Sequence, residues 1–514
     1  MDDYLSPLIS NLLDWVRLQV EYLSPLISNF LDWARLQIDY LSLLISRFLD
    51  SLTLNDLLPL LIFYFPLGII GAWRWGSWLL RKLISLFYRP SKQDYQATVS
   101  VVVPVYNEDP TIFRRALESW RANNPLEIVA VIDYTDKGCI KEFEEFSQQF
   151  ARAKLIVTEK PGKRPALADG IRTTKGEIVA LVDSDTVWSN RTLEEVIRPF
   201  ADPKVGGTTT RQNAMSPKTI AENIFDIQLD LRFFDEMMPT DAASNVLTCL
   251  SGRTAFYRRK VVLPLVDDMV NETFWGKQCI GGEDKRLSYL IGAAGWKTRY
   301  QHNARVYTQG ASKLSTLFKQ RTRWSRNSWR ADLRALWQGW VWKHPFLAFI
   351  MVDRLVSPFT LILSLLYFIV SLVFQLWLPA AILFVWWLFS RTVRILPNLL
   401  RRPGNIILVP HYIFANFTMA VIRIYALFSL NHQDWITRRG AERAPERGTF
   451  SLTLAKLATV VTIAMLAIAV LLFKGYVTAV PTVELGPVLI GTLSALATLL
   501  LLILGLAIES LTWR

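Results

Sequence analysis

Apolar positions divide the chain into stretches of three kinds. The N-terminal stretch is a repeat: "YLSPLISNLLDWVRLQVE" (4–21), "YLSPLISNFLDWARLQID" (22–39) and a diverged "YLSLLISRFLDSLTLND" (40–56). The period of 18 residues is five turns of an α-helix, so equivalent side chains return to one face. Ser-Pro in the first two copies suits an N-cap followed by a first helical position. The repeats predict helices whose shared apolar face serves homo-oligomerisation or a lipid surface. They carry no chemistry-bearing residue. "LLPLLIFYFPLGIIGAWRWGSWLL" (57–80) is long enough to cross a hydrocarbon core of about 30 Å. Arg81, Lys82, Arg89 and Lys92 follow it, whereas the repeats before it are net acidic. The positive-inside bias then predicts an outside N-terminus and a cytoplasmic chain from residue 90 onward.

From about 95 to 310 the pattern changes to short apolar runs ending in polar loops: "TVSVVVPVYNED", "LEIVAVIDYTD", "AKLIVTEKPGK" and "GEIVALVDSDT". Helical stretches at 109–123 and 138–152 separate them, which predicts an α/β domain with a mostly parallel sheet flanked by helices. Ligands of such sheets bind beyond the carboxyl ends of the strands, where the acidic residues collect. "FKQRTRWSRNSWR" (318–330) crowds cations and indoles into one stretch that reads as turn-rich by itself. Apolar segments at 354–375, 377–395, 452–473 and 485–508 then predict four more spans. The segment 405–430 reads as interfacial or re-entrant, interrupted at Pro410, because crossing would leave Arg438, Arg439, Arg443 and Arg447 outside. The resulting organisation is repeats (1–56), a span with a basic linker (57–90), the α/β domain (95–310), amphipathic interfacial helices (311–345), a hairpin of spans (354–395), an interfacial segment with a loop (399–450) and a second hairpin (452–510).

Composition agrees with a mixed architecture. Of 514 residues, 51% are hydrophobic and 20% charged, too apolar for an ordinary soluble protein and too charged for a purely membrane one. A net charge of +13 with 19 Trp fits membrane interfaces and an anionic small substrate better than nucleic acid. Cys139, Cys249 and Cys279 are scattered and lack CxxC spacing, so neither a disulfide framework nor a zinc site is expected and a reducing cytosol is compatible. Asp2 and Asp3 stand where a signal peptide has a basic region.

The candidate chemistry lies at the strand ends. Asp183 closes an apolar strand and Asp185 follows on the same face of an extended segment. Two carboxylates so close call for a bridging cation, Mg²⁺ or Mn²⁺, with a nucleotide diphosphate supplying further oxygens. Asp133 ends an earlier strand, placed to accept hydrogen bonds from a base or ribose. Lys163 and Arg164 lie on a Gly-kinked loop running into a helix, a combination suited to phosphate. Glu283 and Asp284 follow Gly281–Gly282 at a helix start, where a carboxylate can serve as general base.

Together these pieces resemble the family 2 glycosyltransferases, with a GT-A catalytic domain and membrane helices. The motifs are the strand-end Asp133, the DxD of Asp183 and Asp185, "GED" at 282–284 and QxxRW as Gln320, Arg323 and Trp324. Within the family the chain is most similar to processive polysaccharide synthases, hyaluronan synthases above all, with cellulose and chitin synthases as relatives. The resemblance implies inverting transfer from a UDP-sugar to a growing polysaccharide in a plasma (inner) membrane protein with a cytosolic catalytic domain. Asp133 would hold the nucleotide, with Lys163, Arg164 and Arg321 on the donor, Asp183 and Asp185 on the metal, and Asp284 beside Glu283 as base. Arg323 would neutralise the leaving UDP and Trp324 would stack on the acceptor sugar, while Lys319, Arg326 and Arg330 face lipid headgroups. "DWITRRG" (434–440) resembles a gating loop over UDP, with Trp435, Thr437 and Arg438 as contacts. Ser251 and Gly252 match an acceptor-terminus motif, but Arg253 replaces its proline.

Overall fold

The computed structural model describes residues 69–160, 162–433 and 449–479, with residue 32 helical. The repeats, the start of the 57–80 segment, the 485–508 segment and Trp435, Thr437 and Arg438 lie outside the described residues. Two compact units divide the chain, residues 1–72 with 371–383, and residues 73–370 with 384–514. In the first, Leu376 N donates to Ser371 O at 2.7 Å and closes a turn. The second holds the sheet and the candidate site.

Eight strands form one sheet: β1 (Val99–Val105), β2 (Glu127–Asp133), β3 (Ala153–Thr158), β4 (Ile178–Val182), β5 (Val187–Trp188), β6 (Val205–Ala214), β7 (Thr254–Arg258) and β10 (Lys297–Thr308). A small ribbon of β8 (Thr273–Phe274) and β9 (Lys277–Gln278) stands apart. The order is β3-β2-β1-β4-β7-β6-β10-β5, parallel from β3 to β4 and between β6 and β10, with β7 and β5 antiparallel to their neighbours. Apolar residues cover both faces, as a parallel sheet between helices requires. On β1, Val99, Val101, Val103 and Val105 enter one core with Phe113, Trp120 and Phe143, whereas Val102 enters the other with Leu167 and Ile171.

Helix α1 (Ile69–Ser85) precedes the sheet, and the helices flanking it include α2 (Pro110–Ala122), α3 (Lys137–Gln149), α4 (Lys163–Thr173), α5 (Ile220–Arg232) and α6 (Glu283–Ala293). Their starts follow local chemistry. Asp109 caps α2 by accepting from Thr111 N at 2.9 Å, and Thr219 with Glu222 forms a capping box on α5. Gly170 lets α4 lie against β1, since a Cβ there would fall 2.4 Å from Val102 Cγ1.

Longer helices follow the sheet: α7 (Leu314–Gln338), α8 (Pro345–Val373), α9 (Trp377–Arg394), α10 (Val409–Phe428) and α11 (Thr449–Ala479). The 318–330 stretch lies inside α7, within the 311–345 region expected to be helical, and α7 runs 25 residues without a break. Among the described residues, three segments are long and apolar enough to cross a membrane, Pro345–Val373, Pro403–Phe428 and Leu452–Leu471. The second corrects the reading of 405–430 as interrupted. Pro410 stands in the first turn of α10, where its missing N–H leaves no hydrogen bond unmade. The 377–395 segment is helical as α9 but is not among these three, carrying Arg391 and Arg394 in its last turn.

Candidate active site

A cavity of about 850 Å³ opens at the carboxyl ends of β1, β2 and β4 and continues between α7, α8 and α10. The strand order turns at β1, with β2 on one side and β4 on the other, and a crevice forms where connections leave in opposite directions. Asp133, Lys163, Asp183, Asp185, Ser251, Gly252, Arg253, Glu283, Asp284, Gln320, Arg321, Arg323 and Trp324 all line it. Residues from six separate stretches of chain therefore meet at one hollow.

On the sheet side, Asp133 Oδ1 accepts from Thr135 N at 2.9 Å, which fixes the turn after β2. Tyr106 and Tyr134, each one residue beyond its strand, are more than 40% exposed and line the cavity; they are flat surfaces beside Asp133 that motif reading passed over. Their signal was position alone, an aromatic directly after an apolar strand. Asp185 is buried and accepts from Thr308 Oγ1 at 3.0 Å. Asp183 is held through its backbone, its N–H donating to Arg253 O at 3.2 Å.

Lys163 joins the two halves of the site. Its Nζ lies 2.6 Å from Asp183 Oδ1 and 2.6 Å from Glu283 Oε1. Burial alone would raise the Glu283 pKa, but Lys163 outweighs it and brings the carboxyl down to about 2. The same pair raises the Lys163 ammonium above its ordinary value against the pull of burial. Asp284 is held differently, accepting from Gly252 N at 3.0 Å and Lys285 N at 2.8 Å. The Gly282 turn that delivers both carboxylates has φ +82°, and a Cβ there would meet Asn327 Cβ at 3.0 Å. Glycine is required at this turn both for its backbone angle and for space.

The QxxRW spacing works because positions i, i+3 and i+4 share one helix face. Gln320, Arg323 and Trp324 line the cavity from α7, followed by Asn327 one turn on. Gln320 Oε1 is buried without a hydrogen-bond partner among the described residues. Arg253 and Arg321 both sit against the Trp324 ring, at 5.0 and 4.7 Å from its centroid, and both also approach Phe225. Arg253 donates to Gln212 Oε1 at 3.1 Å and Arg321 donates to Gln228. Burial, then Arg253, Arg423 and Arg232, press Arg321 well below its ordinary pKa. A guanidinium does not deprotonate at working pH, so Arg321 stays charged there.

Further in, the cavity is lined by Arg74, Asp353, Arg391, Arg394, Tyr412, Asn416 and Arg423. Arg74 pairs with Asp353 at 2.7 Å and reaches Ser357 at 3.0 Å, and Arg81 also pairs with Asp353. Charged residues inside apolar segments were the available signal for this compartment. The 405–430 segment supplies cavity wall through α10, whereas no described residue of the 452–473 segment does.

Two further expectations are corrected. Arg164 does not reach the cavity: its guanidinium is buried and donates to Met269 O at 2.6 Å, Glu272 at 2.7 Å and Gly281 O at 2.9 Å. Being one residue past Lys163 on a helix, it points about 100° away. Arg326 and Arg330 do not face lipid: both are buried, with Arg326 Nε on Ser429 Oγ at 2.9 Å and Arg330 Nη1 on Leu430 O at 2.8 Å. Lys319 is exposed.

No group of three or more His, Cys, Asp or Glu gathers as a ready metal cage among the described residues. Asp183 and Asp185 fit an oxygen-loving divalent cation that takes its other ligands from a diphosphate, and Lys163 already satisfies one of these carboxylates with positive charge. The three cysteines are buried, and none is in a disulfide among the described residues.

Residues 96–327 match the family described as glycosyltransferase like family 2. The hyaluronan synthase of Streptococcus pyogenes is 27% identical over 379 residues, covering 71% of this chain and 89% of its own. An N-acetylglucosaminyltransferase of Rhizobium meliloti (strain 1021) is 29% identical over 377 residues, covering 68% and 83%. A mannosyltransferase of Pyrobaculum calidifontis, solved with GDP-Man and Mn²⁺, superimposes with a TM-score of 0.47 at 19% identity, over 70% of this chain and 95% of its own. With the motifs in one cavity and the sheet in this order, residues 96–327 form a glycosyltransferase family 2 domain, in a chain that continues into helices able to cross a membrane.

Proposed function

We propose that the protein is a processive, inverting glycosyltransferase that polymerises UDP-activated sugars into a β-linked polysaccharide, hyaluronan-like or related, and passes it across the membrane. The observation that carries this reading is the continuity of the cavity, from the strand-end carboxylates past Trp324 to Arg391, Tyr412 and Arg423 on α9 and α10. A single-transfer enzyme has no use for such a path.

Asp133, Tyr106 and Tyr134 would receive the nucleoside, and Asp183 with Asp185 would hold Mg²⁺ or Mn²⁺, which neutralises charge on the diphosphate. Lys163 turns from Asp183 to the phosphates when the donor enters, remaining paired to Glu283. Asp284, held by Gly252 N, takes the proton of the acceptor hydroxyl as that oxygen attacks the anomeric carbon, and the C–O bond to UDP breaks on the opposite face. Arg323 offsets the charge that develops on the departing diphosphate. Trp324 supports the acceptor sugar from α7, with Ser251, Gly252 and Arg253 across from it. Trp435, Thr437 and Arg438 complete the UDP contacts in this reading. The enzyme is multi-pass in the plasma (inner) membrane with its sheet on the cytosolic side, and the N-terminal repeats join copies of the chain.

The arginines around Trp324 favour an acidic sugar among the donors, since a guanidinium pairs bidentately with a carboxylate. A one-sugar polymer of the cellulose or chitin type is the second reading, favoured by the likeness to the Rhizobium N-acetylglucosaminyltransferase; a transferase that adds one sugar to a lipid carrier is the third. The test is to give the detergent-purified protein UDP-sugars singly and in pairs, measuring UDP release and product size. Synergy between UDP-GlcNAc and UDP-glucuronate, with a polydisperse polymer, is expected. Polymer from one donor alone establishes the second reading, a single small glycolipid establishes the third, and no UDP release from any donor ends all three. Arg253→Leu is expected to weaken use of the acidic donor selectively.

A further inference from the structure

Behind the cavity, outside its lining, three elements that carry the site's chemistry are tied to one carboxylate. Glu272 lies between the short helix Val266–Val270 and β8, and is buried. Arg164 of α4 donates to it at 2.7 Å, Arg286 of α6 approaches at 3.6 Å, and Arg334 of α7 pairs with it closely. These helices also present Lys163, the Glu283–Asp284 pair and the QxxRW face. Arg164 passes the connection on: the guanidinium held by Glu272 also donates to Gly281 O, just before the Gly282 turn. That turn has no side-chain cap of its own. It is confined between Arg164 on one side and Asn327 of α7 on the other, whose Cβ a Cβ at Gly282 would meet at 3.0 Å.

We propose that Glu272 is a positioning residue for glycosyl transfer, setting the Gly281–Asp284 turn relative to Lys163 and α7 through Arg164 and Arg334. This rests on the reading of Asp284 as the base. One carboxylate faces three cations, so neutralising it leaves the guanidinia repelling one another across the junction of α4, α6 and α7. The turn then loses the clamp on Gly281 O while the sheet is untouched. A displacement of about 1 Å at a reacting group costs on the order of a hundredfold in rate, whereas the nucleoside contacts on β1 and β2 are not reached by this network. The expected signature is a loss in kcat without a matching change in donor KM. An ion cluster that merely supports folding would lower the amount of active protein and leave both constants of the folded fraction intact.

The experiment uses the full chain in detergent, with Glu272→Gln and the double variant Glu272→Gln/Arg334→Met, which removes one of the unbalanced cations so that a folded variant is obtained. Hydrogen exchange is followed on peptides covering 279–285 and, as controls, β1, β2 and β4. We expect exchange at the turn to rise at least tenfold with the controls unchanged, kcat for UDP release to fall about 10- to 100-fold, and donor KM to stay within about threefold of the parent. Unchanged exchange at 279–285 in the folded double variant overturns the proposal, as does an unchanged kcat in an active parent background. Should the parent release no UDP from any donor, the functional reading fails, and the exchange measurement still decides whether Glu272 holds the turn.

Discussion

Replacing Lys163 with methionine is the most informative single perturbation of the site. It keeps most of the side-chain stem and removes the charge shared by Asp183 and Glu283, each 2.6 Å away. The Glu283 side chain is 8% exposed and that of Lys163 14%, so water screens the pair little. With Lys163 present the Glu283 carboxyl falls from its ordinary 4.5 to about 2. At 1.36 kcal/mol per pKa unit this corresponds to about 3 kcal/mol of stabilisation at neutral pH. For a domain of this size each kcal/mol moves the melting temperature by about 2–4 °C, so Lys163→Met should melt about 6–12 °C below the parent. Because the folded pKa is lowered, the contribution is complete above pH 4.5 and is lost as pH falls towards 2. The difference between parent and variant should therefore shrink with acidification, not grow. Tryptophan-fluorescence melts of the full protein in detergent, from pH 7 to pH 3, read this directly. Glu283→Gln supplies the cycle: with Glu283 already neutral, Lys163→Met should cost far less than it does alone. Melting within 2 °C of the parent at pH 7, or additive losses in the double variant, would show that the ion pair contributes nothing and that Lys163 is not the cation of this site.

Three other outcomes test neighbouring parts of the site. Asp284→Asn keeps the shape and, because Gly252 N and Lys285 N donate to different carboxylate oxygens, one of the two backbone hydrogen bonds; UDP release should fall by about 10²- to 10⁴-fold while UDP binding, followed by calorimetry, stays within threefold. Chelation with EDTA should abolish UDP release, and added Mn²⁺ or Mg²⁺ should restore it; full activity in the chelator removes Asp183 and Asp185 from the role of metal ligands. Arg330→Met should lower the melting temperature equally in neutral detergent and in anionic-lipid nanodiscs, because its partner is Leu430 O; a loss confined to anionic lipid would restore the headgroup reading.

How much of this was legible beforehand depended on which physical signal each residue carried. Strands whose residues are apolar at every position, such as Ile178–Val182, announce a sheet buried on both faces, and the acidic residue ending each one marks the ligand side. The DxD, GED and QxxRW motifs were visible because their chemistry depends on residue type at short spacing. Segment 405–430 was read as interfacial because crossing would leave Arg438, Arg439, Arg443 and Arg447 outside, and its proline was weighed as an interruption without knowing where the helix began. Read from Val409, the same proline is a helix starter. Composition also contains nothing that distinguishes an arginine touching lipid from one buried beneath a helix, and Arg326 and Arg330 were misplaced for that reason.

The shared cause is that a cation's role follows from the nearest acceptor, and acceptors are supplied by tertiary structure. Lys163 and Arg164 are adjacent in sequence and were read as one phosphate-binding pair. Folding gives Lys163 two carboxylates inside the cavity and gives Arg164 a carboxylate and two carbonyls behind it. The helix separates them by roughly a quarter-turn, and that rotation divides substrate contact from support. The same division runs along α7, where Gln320, Arg323 and Trp324 open onto the cavity while Arg326 and Arg330 turn inward to residues 429 and 430. A helix this dense in arginine is tolerable because nearly every guanidinium has a separate acceptor. Arg321 finds its acceptor in the neutral amide of Gln228 and lies over the Trp324 ring, which Arg253, bonded to Gln212, approaches as well.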